Sequence, residues 1–302
     1  MEWENSREST NVVDERGASG GGGGIQIGGG TGGLGIGVIL VLALIGYFTG
    51  IDPRILIGGA QIVMGNGGNG VSYSQPAPAP VAMHPQQNAQ NDPMLHFVKV
   101  ILGQTEDVWS QVLPAQKGID YIKPKLVVYS GSVASGCGQA QAAMGPFYCP
   151  NDKQVYLDMS FFNDMRAKYG GGGDFAYAYV IAHEIGHHVQ DQLGILDKAD
   201  EAKQNASRTQ ANAISVRIEL MADCLAGVWA ANADQKWHIL DPGDVEKAEA
   251  TAAAIGDDRL QTAARGYAVP DSFTHGSSAL RQQWLTTGLK SGQVDSCDTG
   301  VM

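Results

Sequence analysis

Three histidines and a glutamate fall within six positions of this 302-residue chain: His183, Glu184, His187 and His188. On a helix, residues four apart stand on one face, so His183 and His187 can share one zinc ion. Glu184 then lies beside them, placed to take a proton from a metal-activated water. His188 is turned about 100° from His187 and belongs to another face. Two imidazoles need a third ligand. Gln190 and Leu193 occupy the positions where a metzincin carries Gly and His, so that class is excluded. The stretch "RIELMADCLAG" offers Glu219 and Asp223, again four apart and set among apolar neighbours. Glu219 completes a His2Glu set, and Asp223, one turn on, can accept the second N–H of a ligand histidine. His238 and His275 are rival third ligands, but neither shares a helical register with a second useful group. His275, in "FTHGSS", is instead the candidate donor to a developing oxyanion, with Tyr267 behind it.

These side chains need rigid supports. "FAYAYVIA", ahead of His183, is almost wholly apolar and marks a buried helix over residues 175–193, capped by Asp174 and ended by Gly194. A second helix over about 211–232 carries Glu219 and Asp223. Apolar residues at helical spacing over 95–113 give a further helix, and others follow Pro242 and begin again at Ser277. "KLVVYSG" and "KQVYLDMSFF" read as strands; "QVYLDMSFF" is either an edge that pairs with an extended peptide or an ordinary sheet strand. The pattern is α+β, with helices dominating a small sheet, over residues 92–302.

Residues 1–33 form a charged tail and a glycine-rich flexible segment. Residues 34–51, "LGIGVILVLALIGYFTGI", are uncharged and long enough to cross a bilayer as one helix. Residues 52–91 are a Gly, Pro, Ala and Gln linker in which His84 has no assigned role. Gly33/Gly37 and Gly46/Gly50 have the spacing of helix association, which points to a homo-oligomer through the anchor. The net charge of -11 excludes a basic nucleic-acid face. Cys137, Cys149, Cys224 and Cys297 allow three pairings; the expectation is Cys137 with Cys149 and Cys224 with Cys297, in an oxidising compartment, against four reduced thiols in the cytosol. On that footing the amino terminus is cytoplasmic and residues 92–302 lie in the periplasm or another extracytoplasmic space.

"AHEIGHHVQ", "RIELMADCLAGVWA", "GPFYCPNDKQVYLD" and "PDSFTHGSSALRQQW" resemble the neutral zinc metallopeptidase family of YpfJ-type membrane proteins. The tail "WENSRESTNVVDERG" is similar too, although Val13-Asp14-Glu15-Arg16 stands where that family more often reads Glu-Asp-Arg-Arg. The resemblance spans nearly the whole chain. It implies a zincin-like catalytic domain with one zinc ion, a glutamate third ligand, and a peptide or protein substrate of unspecified sequence. The expected function is a membrane-anchored zinc peptidase with Glu184 as general base. The alternatives are a non-catalytic zinc-containing scaffold or binding module of the cell envelope, or a zinc amidohydrolase.

Overall fold

The computed structural model describes residues 1–17, 92–168 and 172–301. The expected membrane helix 34–51, the linker 52–91 with His84, and most of the glycine tract lie outside the described residues. Among the described residues, no helix is long and apolar enough to cross a membrane.

Strand β1 is Val12–Asp14. Helix α1, Pro93–Lys117, starts at Asp92, whose carboxylate accepts the N–H of Met94 and Leu95, and stops at Gly118 in the left-handed region. β2 (Lys125–Tyr129), the hairpin β3 (Ser132–Ser135) and β4 (Gly138–Gln141), β5 (Phe147–Cys149) and β6 (Gln154–Asp158) follow. Then come α2 (Ser160–Lys168), α3 (Asp174–Gln192), α4 (Ile195–Gln204), α5 (Arg208–Trp237), α6 (Asp244–Ala254), α7 (Asp257–Arg265) and α8 (Ser278–Ser291). The main sheet has the order β1-β2-β6-β5, parallel except for the β5–β6 pair. The helix-dominated α+β expectation holds.

Several boundaries differ from expectation. β6 ends at Asp158, whose carboxylate accepts the N–H of Ser160 and turns the chain into α2, so "SFF" is helical. β6 also lies between β2 and β5 and is no edge; the sheet's edges are β1 and β5, each three residues long and too short to show a period of two. Asp174 sits in the first turn of α3 after the cap residue Gly173, and its carboxylate accepts the Trp3 indole N–H at 2.9 Å. Both expected disulfides are present. Cys137–Cys149 ties the β3–β4 turn to β5, and Cys224–Cys297 ties the carboxy-terminal segment to α5.

The largest correction concerns residues 1–17. Expected as a tail apart from the catalytic domain, they belong to the same compact unit as residues 92–301. Val12–Asp14 pair in parallel with Leu126–Val128. Trp3 packs edge-on against Phe97, and Ser9 N–H donates to the Lys99 carbonyl at 2.9 Å. A three-residue strand whose partner lies more than a hundred positions away leaves no local pattern to read.

α5 runs through the core, buried from Leu220 to Ala230, and packs against α3 and α8. Glycines set both distances. A Cβ on Gly186 of α3 would stand 3.0 Å from the Ala222 carbonyl oxygen, so α3 and α5 meet almost backbone to backbone. On the other side of α5, a Cβ on Gly227 would collide with the Leu285 carbonyl, and one on Gly288 with the Cys224 carbonyl. These close crossings bring side chains of α3, α5 and α8 together.

Candidate metal centre

His183 and His187 stand one turn apart on α3, ring centroids 4.9 Å apart and perpendicular. Glu219 reaches them from α5: its Oε2 lies 3.1 Å from His183 Nε2 and 3.6 Å from His187 Nε2. One ligand atom from each of the three lies within 4.8 Å of the others. Two imidazole nitrogens and a carboxylate at these separations fit a single zinc ion bonded at roughly 2.0–2.2 Å. Glu184 is almost buried and lines the same cleft of about 650 Å³.

Each imidazole is oriented through its other nitrogen. Asp223 Oδ1 accepts from His183 Nδ1 at 2.9 Å. Gln190 Oε1 accepts from His187 Nδ1 at 2.9 Å while its amide donates to the Ile218 carbonyl at 2.7 Å. Both bonds place the Nδ1 proton away from Glu219 and leave Nε2 for a ligand role. Asp223 is itself fully buried and takes two bonds from Arg281 of α8, each 2.9 Å, and one from the Tyr179 hydroxyl at 2.5 Å. Burial pushes the Asp223 carboxyl up, but Arg281 and His183 outweigh it and hold it at about 2. Burial likewise opposes charge on His183 and His187, yet Asp223 with Glu219 raises His183 and Glu219 raises His187. Glu219 is held well below the usual carboxylate range, its desolvation outweighed by the two imidazoles. The imidazoles and carboxylates of the cluster are complementary in charge, and a cation held there would take the place of protons.

His275 lines the cleft, with Nδ1 3.4 Å from Asp257 Oδ1. The other oxygen of Asp257 accepts three successive backbone N–H groups, from Thr274, His275 and Gly276, at 2.7, 2.6 and 3.0 Å. The Asp257 hydrogen bond raises the His275 pKa against the effect of burial. Tyr267 does not stand behind His275: it is 60 % exposed and its ring lies under Arg265. Asp257 occupies that supporting role instead.

Other sequence candidates lie apart. His238 ends α5 at φ 54° and is not in the cleft. His188 is buried, with Nδ1 3.1 Å from the Tyr148 hydroxyl and Nε2 2.6 Å from the Ile122 carbonyl, fastening α3 to β5 and to the loop before β2. Its role in packing matches its separate helix face. Tyr179, Gln190, Arg281 and Asp257 were not foreseen. Tyr179 is four residues before His183, and Gln190 three after His187, so helical spacing alone could have found both. Arg281 and Asp257 carry no local signal.

The cleft wall is apolar where β4 leads into β5, with Met144, Pro146 and Phe147, and again at Ile255 and Leu260. β5, an edge of the main sheet, therefore borders the cleft.

A family model described as "Putative neutral zinc metallopeptidase" matches residues 1–300. "Uncharacterized protein YpfJ" of Escherichia coli is 43 % identical over 303 residues, covering 99 % of this chain and 98 % of its own length. "Uncharacterized protein Rv2575" of Mycobacterium tuberculosis is 43 % identical over 211 residues, covering 66 % of this chain and 69 % of its own. No solved structure matches.

Proposed function

The chain belongs to the neutral zinc metallopeptidase family, and on that footing we propose that it is a zinc-dependent peptidase that hydrolyses peptide bonds with Glu184 as general base. The observation that carries this reading is the meeting of His183, His187 and Glu219 within 4.8 Å, at a cleft that also holds Glu184. His183 Nε2, His187 Nε2 and the Glu219 carboxylate would hold the ion. When bound, zinc supplies a Lewis acid that polarises the scissile carbonyl and lowers the pKa of water to about 7.

The Glu184 carboxylate takes the proton of the attacking water and delivers it to the leaving amine nitrogen. Asp223 and Gln190 keep the two ligand imidazoles in one tautomer throughout. His275, whose charged ring Asp257 favours through Nδ1, donates its Nε2–H to the carbonyl oxygen as negative charge develops there. An extended substrate is held along the β5 edge by main-chain hydrogen bonds, with apolar side chains against Met144 and Phe147.

In this reading residues 34–51 anchor the chain to a membrane, and the two disulfides support an oxidising space for the catalytic unit. The test is zinc content together with cleavage of a peptide library by the full chain. Glu184→Gln is expected to keep one zinc and lose roughly 10²–10⁴-fold in kcat. Equal cleavage by wild type and variant overturns the mechanism. Tight zinc with no cleavage by either selects the scaffold reading.

A further inference from the structure

Residues 1–17 and 92–301 are parts of one folded unit, and the bonds between them are of a kind that cannot form across a bilayer. Glu106, on α1, is 1 % exposed. Its carboxylate accepts from Arg7 Nη2 at 2.7 Å, Ser9 Oγ at 2.6 Å and Asn11 Nδ2 at 2.6 Å, all three on the amino-terminal arm. Lys123 Nζ, at 3.7 Å, is the further cation beside it. Gly103, one turn earlier on α1, has the Arg7 carbonyl oxygen 2.5 Å from where a Cβ would stand. The helix is bare where the arm crosses it. β1 then adds three register pairs to β2, and Glu15 N–H continues the ladder to the Val128 carbonyl at 2.8 Å. Finally, Arg16 Nη1 donates to Asp92 Oδ2 at 2.5 Å. Arg16 and Asp92, on either side of residues 18–91 in the chain, are bonded to each other.

We propose that the amino-terminal arm and the catalytic unit occupy the same side of the membrane. This rests on the reading of residues 34–51 as a membrane segment. A single crossing would put the arm on the opposite face. That would strip Glu106 of its three arm partners, leaving a buried carboxylate short of hydrogen bonds, and open the β2 edge. On this proposal the amino terminus and residues 92–301 share one compartment, where a cytoplasmic amino terminus beneath an extracytoplasmic domain was expected.

The experiment labels the full chain in the membranes of the cell that makes it. Single cysteines are introduced as Glu4→Cys on the arm and Gln235→Cys on α5, both exposed positions, and treated with a membrane-impermeant maleimide before and after permeabilisation. Both positions are expected to react under the same condition. Reaction of one in intact cells and of the other only after permeabilisation overturns the proposal. Gly103→Val tests the docking itself: its side chain meets the Arg7 carbonyl, so protection of residues 1–17 from protease is expected to be lost while the rest of the unit stays resistant. Unchanged protection in that variant also overturns the proposal. Complete release of the protein from membranes at alkaline pH removes its membrane premise. None of these readouts depends on peptide hydrolysis, so an inactive protein and a misassigned topology give different results.

Discussion

Asp223 and Glu106 are both carboxylates buried on helices, one at the metal centre and one beneath the amino-terminal arm. Asp223 takes its partners from α3 and α8: His183, Tyr179 and Arg281, all on regular helices locked by glycine crossings. Glu106 takes Arg7, Ser9 and Asn11 from a segment with little regular structure. The same desolvation problem is met in one place by a rigid shell and in the other by a detachable strip. A rigid shell transmits any disturbance to the imidazole it orients. A strip absorbs the disturbance by letting go. The charge at Asp223 therefore bears on chemistry, and the charge at Glu106 on assembly.

The sharpest break of this contrast is Asp223→Ala. It leaves Arg281 buried without its counter-charge and is expected to cost about 3–5 kcal/mol of stability, read by chemical denaturation. Glu106→Ala is expected to cost less, about 1–3 kcal/mol, because Arg7 keeps its bonds to Asp107 and can turn to solvent. In that variant the arm becomes accessible to protease while zinc affinity holds; a loss of zinc affinity there would erase the distinction between the two sites. Asp223→Asn keeps the shape of the shell and removes its charge. Zinc affinity measured against a competing chelator is expected to fall 10–100-fold, about 1.4–2.7 kcal/mol, with the arm still protected.

The mildest effect is that of acid on the arm. Arg16 holds Asp14 below the usual carboxylate range, against burial. Burial pushes Asp92 up, but Arg16 and the N–H groups at the start of α1 leave it below that range as well. Both folded values lie under the unfolded one. Their stabilisation is therefore complete above about pH 4 and is lost as pH falls from there through the folded values. Each of these partly exposed pairs is worth about 0.2–1 kcal/mol. Protease protection of residues 1–17 is expected to decline over that window, before the disulfide-linked remainder unfolds.

What the sequence disclosed follows the range of the interactions. His183, Glu184 and His187 announced themselves through spacing on one helix. Glu219 and Asp223 did so through a second register of four within an apolar run, and the structure brings these residues to one cleft. The two disulfides followed from pairing a short loop and a terminal one. Hidden from view were contacts between elements far apart in the chain. Arg281 reaches Asp223 because α8 crosses α5 at glycines, and Asp257 holds the His275 loop by three backbone bonds. β1 has only three residues and finds its partner at Leu126. β6 read correctly as a strand, but edge and ordinary strand stayed open as alternatives, since an edge is defined by what lies beside it.

The glycine pair at the α5–α8 crossing has a genetic consequence. Gly227 and Gly288 touch neither the cleft nor any ligand, yet one added methyl at either drives α8 off α5 and carries Arg281 with it. In a random mutagenesis screen for lost hydrolysis, these two positions should score beside the histidines. A map of such hits would trace a helix crossing that looks unrelated to zinc.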